Sequence, residues 1–134
     1  MKWEDLEKFD STDMKRHILE QGKALELTMK RSESDAKHAA TLLSRCDNLF
    51  LIGSGDKYLI PMISQYIWRK YGDIPVQVFD SRDFADHPPS YLDQDSCCVL
   101  LSQSGKTRDT MDALKVCMKR KATCIGITNL REGG

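Results

Sequence analysis

The 134-residue sequence has no excess of charge of either sign, with 20 Lys+Arg against 20 Asp+Glu. A nucleic-acid or anionic-membrane binder normally carries a net positive field, so no nucleic acid and no membrane is expected as a partner. Long apolar runs are also missing. Stretches such as Asn48–Ile52 and Cys97–Leu101 fall far short of the roughly 20 residues a spanning helix needs. The start, Met1-Lys2-Trp3-Glu4-Asp5, brings acids early with no apolar stretch behind them, which argues against a signal peptide and for a cytoplasmic location. Cysteine is present but not in a metal-binding arrangement. Cys46, Cys97, Cys98, Cys117 and Cys124 form no C-x-x-C pair and have no histidine at ligand spacing, so neither structural zinc nor another metal is expected. None is followed six residues later by arginine, which excludes a cysteine-phosphatase loop. Repeats, linkers and low-complexity tracts are lacking as well, and a chain of this size buries about two thirds of its unfolded surface without disulfide or metal staples.

What is present divides at about residue 46. In the first part Met14, Ile18, Leu25 and Met29 recur at helical spacing with charges between them, predicting an amphipathic helix from Asp13 to about Lys30. Arg31-Ser32-Glu33-Ser34 is expected to break it, with Ser34 capping a second helix whose face is Ala36, Ala39, Ala40 and Leu43. This is a helical leader, expected to pack on a domain or a partner subunit.

From Asn48 the period changes to short, solid apolar runs separated by helical segments, the pattern of strands covered on both faces of a parallel sheet. The expected strands are Asn48–Ile52, Val76–Phe79, Cys97–Leu101 and Thr123–Ile127. Between the first two, Tyr58, Leu59, Met62, Ile63, Tyr66 and Ile67 mark one face of a helix ending near Tyr71-Gly72, with Pro61 tolerated in an opening turn. A second helix is expected over roughly Asp109–Lys119. The polar stretch Asp80–Asp95 reads as a short helix and a surface loop. The chain stops soon after its fourth strand, predicting a domain cut before its last strand and helix. The fold class is α/β: a three-layer α/β/α sandwich with a mainly parallel sheet over 47–134, preceded by the helical leader over 1–46.

Two loops leave the carboxyl ends of predicted strands and enter helices, where open α/β sheets place their ligands. The first is Gly53-Ser54-Gly55-Asp56-Lys57; the second is Ser102-Gln103-Ser104-Gly105-Lys106-Thr107. Unpaired N–H groups and a helix dipole suit both to an anion, above all phosphate. In the second loop three hydroxyls and an amide cluster around a glycine, a set that either grips phosphate or caps the following helix. Two rival motifs fail by counting. A P-loop needs a glycine where Leu100 stands, and a dinucleotide fingerprint needs one where Tyr58 stands, although Asp80 is placed to face a ribose.

Ser102-Gln103-Ser104-Gly105-x-Thr107 resembles the S-x-S-G-x-T phosphate loop of the sugar isomerase (SIS) domains. Its Ser-Gln-Ser form is similar to that of the isomerase part of glucosamine-6-phosphate synthase and of sugar-amine deglycases, and Ile18-Leu-Glu-Gln21, Gly53-Ser-Gly55 and Ile127-Thr-Asn129 extend the resemblance, which runs from about Met14 to Asn129. It implies that Ser102, Gln103, Ser104, Gly105 and Thr107 hold the phosphate while Ser54, Gly55, Asp56 and Lys57 line the sugar or phosphate side. It further implies a sugar-phosphate ligand, no cofactor, an activity of isomerase, isomerising aminotransferase or deglycase type, and pairing with a second SIS lobe or a second copy. Asp56-Lys57 and Lys106 depart from the small hydroxyls and glutamate common in that family. The general base and acid that such isomerisation needs lie, by the same resemblance, in a second lobe, so no catalytic residue is assigned here. His87 and Asp83 are the local acid–base candidates, and His17 and His38 are expected at the surface. The alternatives are a phosphosugar-sensing domain without catalysis and, more distantly, a dinucleotide-dependent oxidoreductase.

Overall fold

The computed structural model describes residues 12–129. The N-terminal stretch read for a signal peptide and the closing Arg131–Gly134 lie outside them. The chain divides into two compact units, 1–38 and 39–134.

The first unit is helical. Helix α1 runs unbroken over Thr12–Leu43, so the expected break at Arg31–Ser34 does not occur. The reason is local. The Ser32 hydroxyl, which can compete with helical backbone bonds, donates to the Thr28 carbonyl at 2.7 Å inside the helix. Lys30–Glu26 and Lys37–Glu33 ion pairs, at 2.7 and 2.8 Å, stitch the turns on either side at i,i+4 spacing. With no proline or glycine in Arg31–Ser34, nothing stops propagation there. Met14, Ile18, Leu25 and Met29 form the expected stripe and are exposed.

The second unit is a four-stranded sheet in the order β2-β1-β3-β4, parallel throughout. Its strands are β1 (Asn48–Gly53), β2 (Val76–Asp80), β3 (Ser96–Leu101) and β4 (Thr123–Ile127). Helices α2 (Asp56–Tyr71), α3 (Ser81–Asp86) and α4 (Arg108–Lys119) alternate with them. β1 and β3 read as continuous apolar runs because both faces are covered, and every residue of β3 is buried. One face packs Phe50, Ile52, Cys98 and Leu100 against Phe84 of α3 and Ala113 and Cys117 of α4. The other packs Leu49, Leu51, Cys97 and Val99 against Trp68 of α2, Ile74, Cys46 and Leu43. The three-layer α/β/α expectation is met.

Cys46, Cys97, Cys98 and Cys117 are buried and Cys124 half-buried, all as free thiols. Burial pushes Cys97 up to about 12, and the neighbouring Cys117 thiol, with burial, pushes Cys124 up as well. Both are therefore protonated packing groups at neutral pH.

Helix α2 differs from expectation in two ways. It starts at Asp56, which puts Pro61 in the second turn, where it is buried against the sheet side. Its apolar residues also do not all turn inward. Tyr58, Pro61 and Trp68 face the sheet, while Leu59, Met62, Ile63, Tyr66 and Ile67 are exposed.

Candidate functional site

The strand order reverses direction between β1 and β3, so the loops leaving these two adjacent strands diverge to opposite faces and leave a crevice at the carboxyl edge. Gly53–Lys57 feeds α2 on one face and Ser102–Thr107 feeds α4 on the other. All nine residues singled out from the sequence belong to these two loops. A cleft of ≈ 290 Å³ lies between them, lined by Lys57 and Ile60 from one side and Ser102 and Gln103 from the other. Thr128 and Asn129, following β4, close its third side.

In the first loop the backbone is shaped by close approach. A Cβ on Gly53 would lie 2.4 Å from the Lys57 carbonyl oxygen, so only glycine fits where β1 meets α2. Gly55 adopts φ 59°, ψ −128°, a conformation that side chains disfavour. It stands at the N-cap of α2 with no side-chain cap. Ser54 is half-buried, and its carbonyl accepts the Lys57 N–H at 3.2 Å. The Lys57 ammonium reaches both carboxylate oxygens of Asp56, at 2.6 and 2.7 Å. That hydrogen bond holds the Asp56 carboxyl below its usual range. The one cation reaching into the cleft among its described lining residues is thus paired with the acid next to it in the chain.

The second loop is built from hydroxyls. Ser102 is buried, and its Oγ lies 3.0 Å from Thr107 Oγ1 across the loop. Gly105 takes φ 66° and donates its N–H to the Ser102 carbonyl at 3.3 Å, closing the turn. Ser104 Oγ accepts the Lys106 N–H at 3.2 Å. Thr107 occupies the N-cap position of α4, yet its side chain makes no cap hydrogen bond. The first-turn N–H groups, which have no partner within a helix, therefore receive none from Thr107. Behind the loop, Ser81 Oγ and Thr110 Oγ1, both buried, approach to 3.2 Å and tie the start of α3 to the first turn of α4.

Thr128 and Asn129 were not among the expected site residues. The Gln103 carbonyl accepts the Asn129 N–H at 3.2 Å and the Thr128 hydroxyl at 3.3 Å. The signal was the position of Ile127-Thr128-Asn129 at the carboxyl end of a fourth parallel strand, the same edge from which the other two loops leave. Asp80, by contrast, caps α3: its Oδ1 accepts the Arg82 N–H at 2.8 Å. That commits one oxygen of the carboxylate the dinucleotide alternative required to the helix start. Asp83 lies in the first turn of α3, and the His87 N–H donates to its carbonyl at 2.8 Å, so both belong to the ends of that short helix. His17 and His38 are exposed on α1. Among the described residues no group of three His, Cys, Asp or Glu side chains is arranged to hold a metal ion. No helix among them is long and apolar enough to cross a membrane.

Comparison with known proteins bears on the family and the fold. The model of the SIS domain matches residues 42–133. Glutamine–fructose-6-phosphate aminotransferase (isomerizing) from Saccharomyces cerevisiae is 38% identical over 88 residues, which cover 66% of this chain and 12% of that protein. Form 1 from Rattus norvegicus is 30% identical over 128 residues, covering 89% of this chain and 19% of its own length. The chain spans about a fifth or less of such relatives. Among solved structures, the C-terminal domain of glucosamine-fructose-6-phosphate aminotransferase from Francisella tularensis aligns with a TM-score of 0.79 at 26% identity, over 90% of this chain and 35% of that one. Tagatose-6-phosphate ketose/aldose isomerase from Escherichia coli aligns at 0.61 with 15% identity, over 76% and 29% respectively, a likeness of fold alone.

Proposed function

This chain belongs to the SIS domain family, and from that premise we propose that it binds a sugar phosphate at the crevice between β1 and β3. The phosphate sits in Ser102–Thr107, and the sugar extends over Ser54–Lys57. Residues 47–134 form the binding lobe and 1–46 its helical leader. The lobe serves an enzyme of isomerase, isomerising aminotransferase or deglycase type, paired with a second lobe or a second copy that supplies the acid and base. The observation that carries the reading is the state of Thr107. A hydroxyl at an N-cap ordinarily closes its own helix, but this one turns across the loop to Ser102. That leaves the positive end of α4 open to an anion.

Chemistry follows from that arrangement. A phosphate seated at the loop accepts from the first-turn N–H groups and from the hydroxyls of Ser102, Ser104 and Thr107. Each hydrogen bond to a charged group contributes about 1.5–3 kcal/mol. Lys57 adds a positive charge once it leaves Asp56. The cleft volume of ≈ 290 Å³ lies at the lower end of the range for small-molecule sites, as suits one phosphorylated monosaccharide.

The test is ligand-dependent melting. Fructose 6-phosphate or glucosamine 6-phosphate should raise the melting temperature, and fructose or NAD should not. Ser104→Ala and Thr107→Ala should each weaken the phosphorylated ligand selectively. Equal loss for phosphorylated and unphosphorylated sugar would refute the reading. Turnover by the paired assembly separates an enzyme from a sensor.

A further inference from the structure

Helix α2 has two apolar sides and only one is covered. Its sheet side is Tyr58, Pro61 and Trp68, while Leu59, Ile60, Ile63, Tyr66, Ile67 and Tyr71 are each more than half exposed and Met62 is 39% exposed. At 100° per residue these seven side chains fill the whole outward half of the helix. A helix apolar all round belongs in an interior, and a contiguous patch of this size marks an interaction surface. Seven such side chains leave on the order of 800 Å² in water, the share one partner gives to a standard interface.

The charges on that outward half select the partner. Asp56 stands at its beginning, 76% exposed, and Lys70 at its end, also exposed. Both fall near the centre of the same stripe, about 21 Å apart along the axis; the charge between them, Arg69, stands at the stripe's edge with its guanidinium 6.0 Å from the centre of the Tyr66 ring. Turned about a two-fold axis perpendicular to the helix, this surface is its own complement. Apolar centre meets apolar centre, and each Asp56 meets a Lys70. A parallel arrangement would instead oppose like charges. We propose that α2 is the centre of an isologous dimer interface between two copies of this chain, packed antiparallel. This rests on the pairing of lobes proposed above, and it names the surface. Because α2 begins at the first loop of the candidate site, the partner's Lys70 is delivered beside Asp56, where it competes with Lys57 for the carboxylate and releases Lys57 toward the ligand.

Sedimentation velocity of the full chain over a wide concentration range tests it, with circular dichroism as the check on folding. The wild-type chain should dimerise, and Ile63→Glu, a change at a surface position, should give a folded monomer. Asp56→Lys and Lys70→Glu should each weaken the dimer at least tenfold, and the double exchange should restore it. A dimer indifferent to Ile63→Glu would leave pairing standing and remove this surface. A wild-type chain monomeric at every concentration would remove this interface between copies and leave pairing with a second lobe as the proposed arrangement. Single exchanges that weaken the dimer without rescue in the double would overturn the antiparallel geometry. None of these readouts involves ligand, so the sugar-phosphate reading stands or falls separately on its melting assay.

Discussion

The two loops at the carboxyl edge have the same job in the backbone and opposite chemistry. Each leaves one of two neighbouring parallel strands, turns through a glycine with positive φ, 59° at Gly55 and 66° at Gly105, and starts a helix on its own face of the sheet. The first loop is set by packing: Gly53 lies against the Lys57 carbonyl with no room for a methyl group, and its charges are paired with each other. The second is set by hydrogen bonds among small polar groups, the Ser102–Thr107 pair above all. Packing contacts cannot be exchanged for ligand contacts, whereas hydroxyl pairs can. On the reading proposed above, the backbone of the first loop is the wall of the site and the hydroxyls of the second are its cradle.

The largest effect expected from disturbing this division is at Gly53. Gly53→Ala should lower stability by about 2–3 kcal/mol in urea unfolding, because α2 must shift bodily to admit the new Cβ. Gly126→Ala is the control, since nothing lies within 4 Å of its added Cβ, and its effect should be far smaller. A mild Gly53→Ala would mean that the first loop is no more rigid than the second. In the second loop, Thr107→Val keeps the shape and removes the hydroxyl. It should weaken sugar-phosphate binding by roughly 10- to 100-fold, the worth of one hydrogen bond to a charged group, as read by calorimetry. The same substitution breaks the Ser102–Thr107 pair and should cost about 1–2 kcal/mol of stability; because Thr107 does not cap α4, Ser102→Ala should cost a similar amount and the double variant no more than either single, whereas a further loss in the double would restore the capping reading.

A smaller effect is expected from Gly105→Ala, about 1–2 kcal/mol from forcing a side chain into the left-handed region, measured in the same denaturation series. The smallest concerns the charged pair. Asp56→Asn releases Lys57 and should tighten sugar-phosphate binding a few-fold while lowering the melting temperature at neutral pH slightly, since the Asp56–Lys57 pair it removes is exposed. The sign with pH follows from the depressed Asp56 carboxyl. Its contribution to stability is complete above the unfolded carboxyl value and is lost as pH falls through the lower folded value. The difference between wild type and Asp56→Asn should therefore fade toward acid. A difference that grew toward acid would mean that Lys57 is not the group acting on Asp56.

The strands were legible because burial on both faces leaves an unmistakable trace. Leu49–Ile52 and Cys97–Leu101 are continuous apolar runs, and their ends are marked by Gly53 and by the polar turn at Ser102. The loops were legible for the same reason, since a parallel strand that stops at glycine or serine before a helix has few other uses. Helix α1 was misread at Arg31–Ser34 because composition does not reveal that a serine hydroxyl will bond back to its own helix or that flanking lysines will pair four residues away. Spacing located the apolar residues of α2 but not the direction each would face, because a helix apolar on two sides gives a period without saying which side meets the sheet. Thr128 and Asn129 escaped the site because the bonds that tie them to it, to the Gln103 carbonyl, span 25 positions or more.

By itself the amino-acid order determined the alternation of strand and helix, the parallel class of the sheet and the two anion-suited loops, since each depends on residues within a few positions of one another and on whether water can reach them. The tertiary structure decided the order β2-β1-β3-β4, which sets the two loops side by side, and the turning of Thr107 toward Ser102 instead of its own helix. It also decided the outward apolar half of α2. Those outcomes depend on which distant groups meet when the chain closes on itself, and the free energy of such meetings belongs to the packed whole.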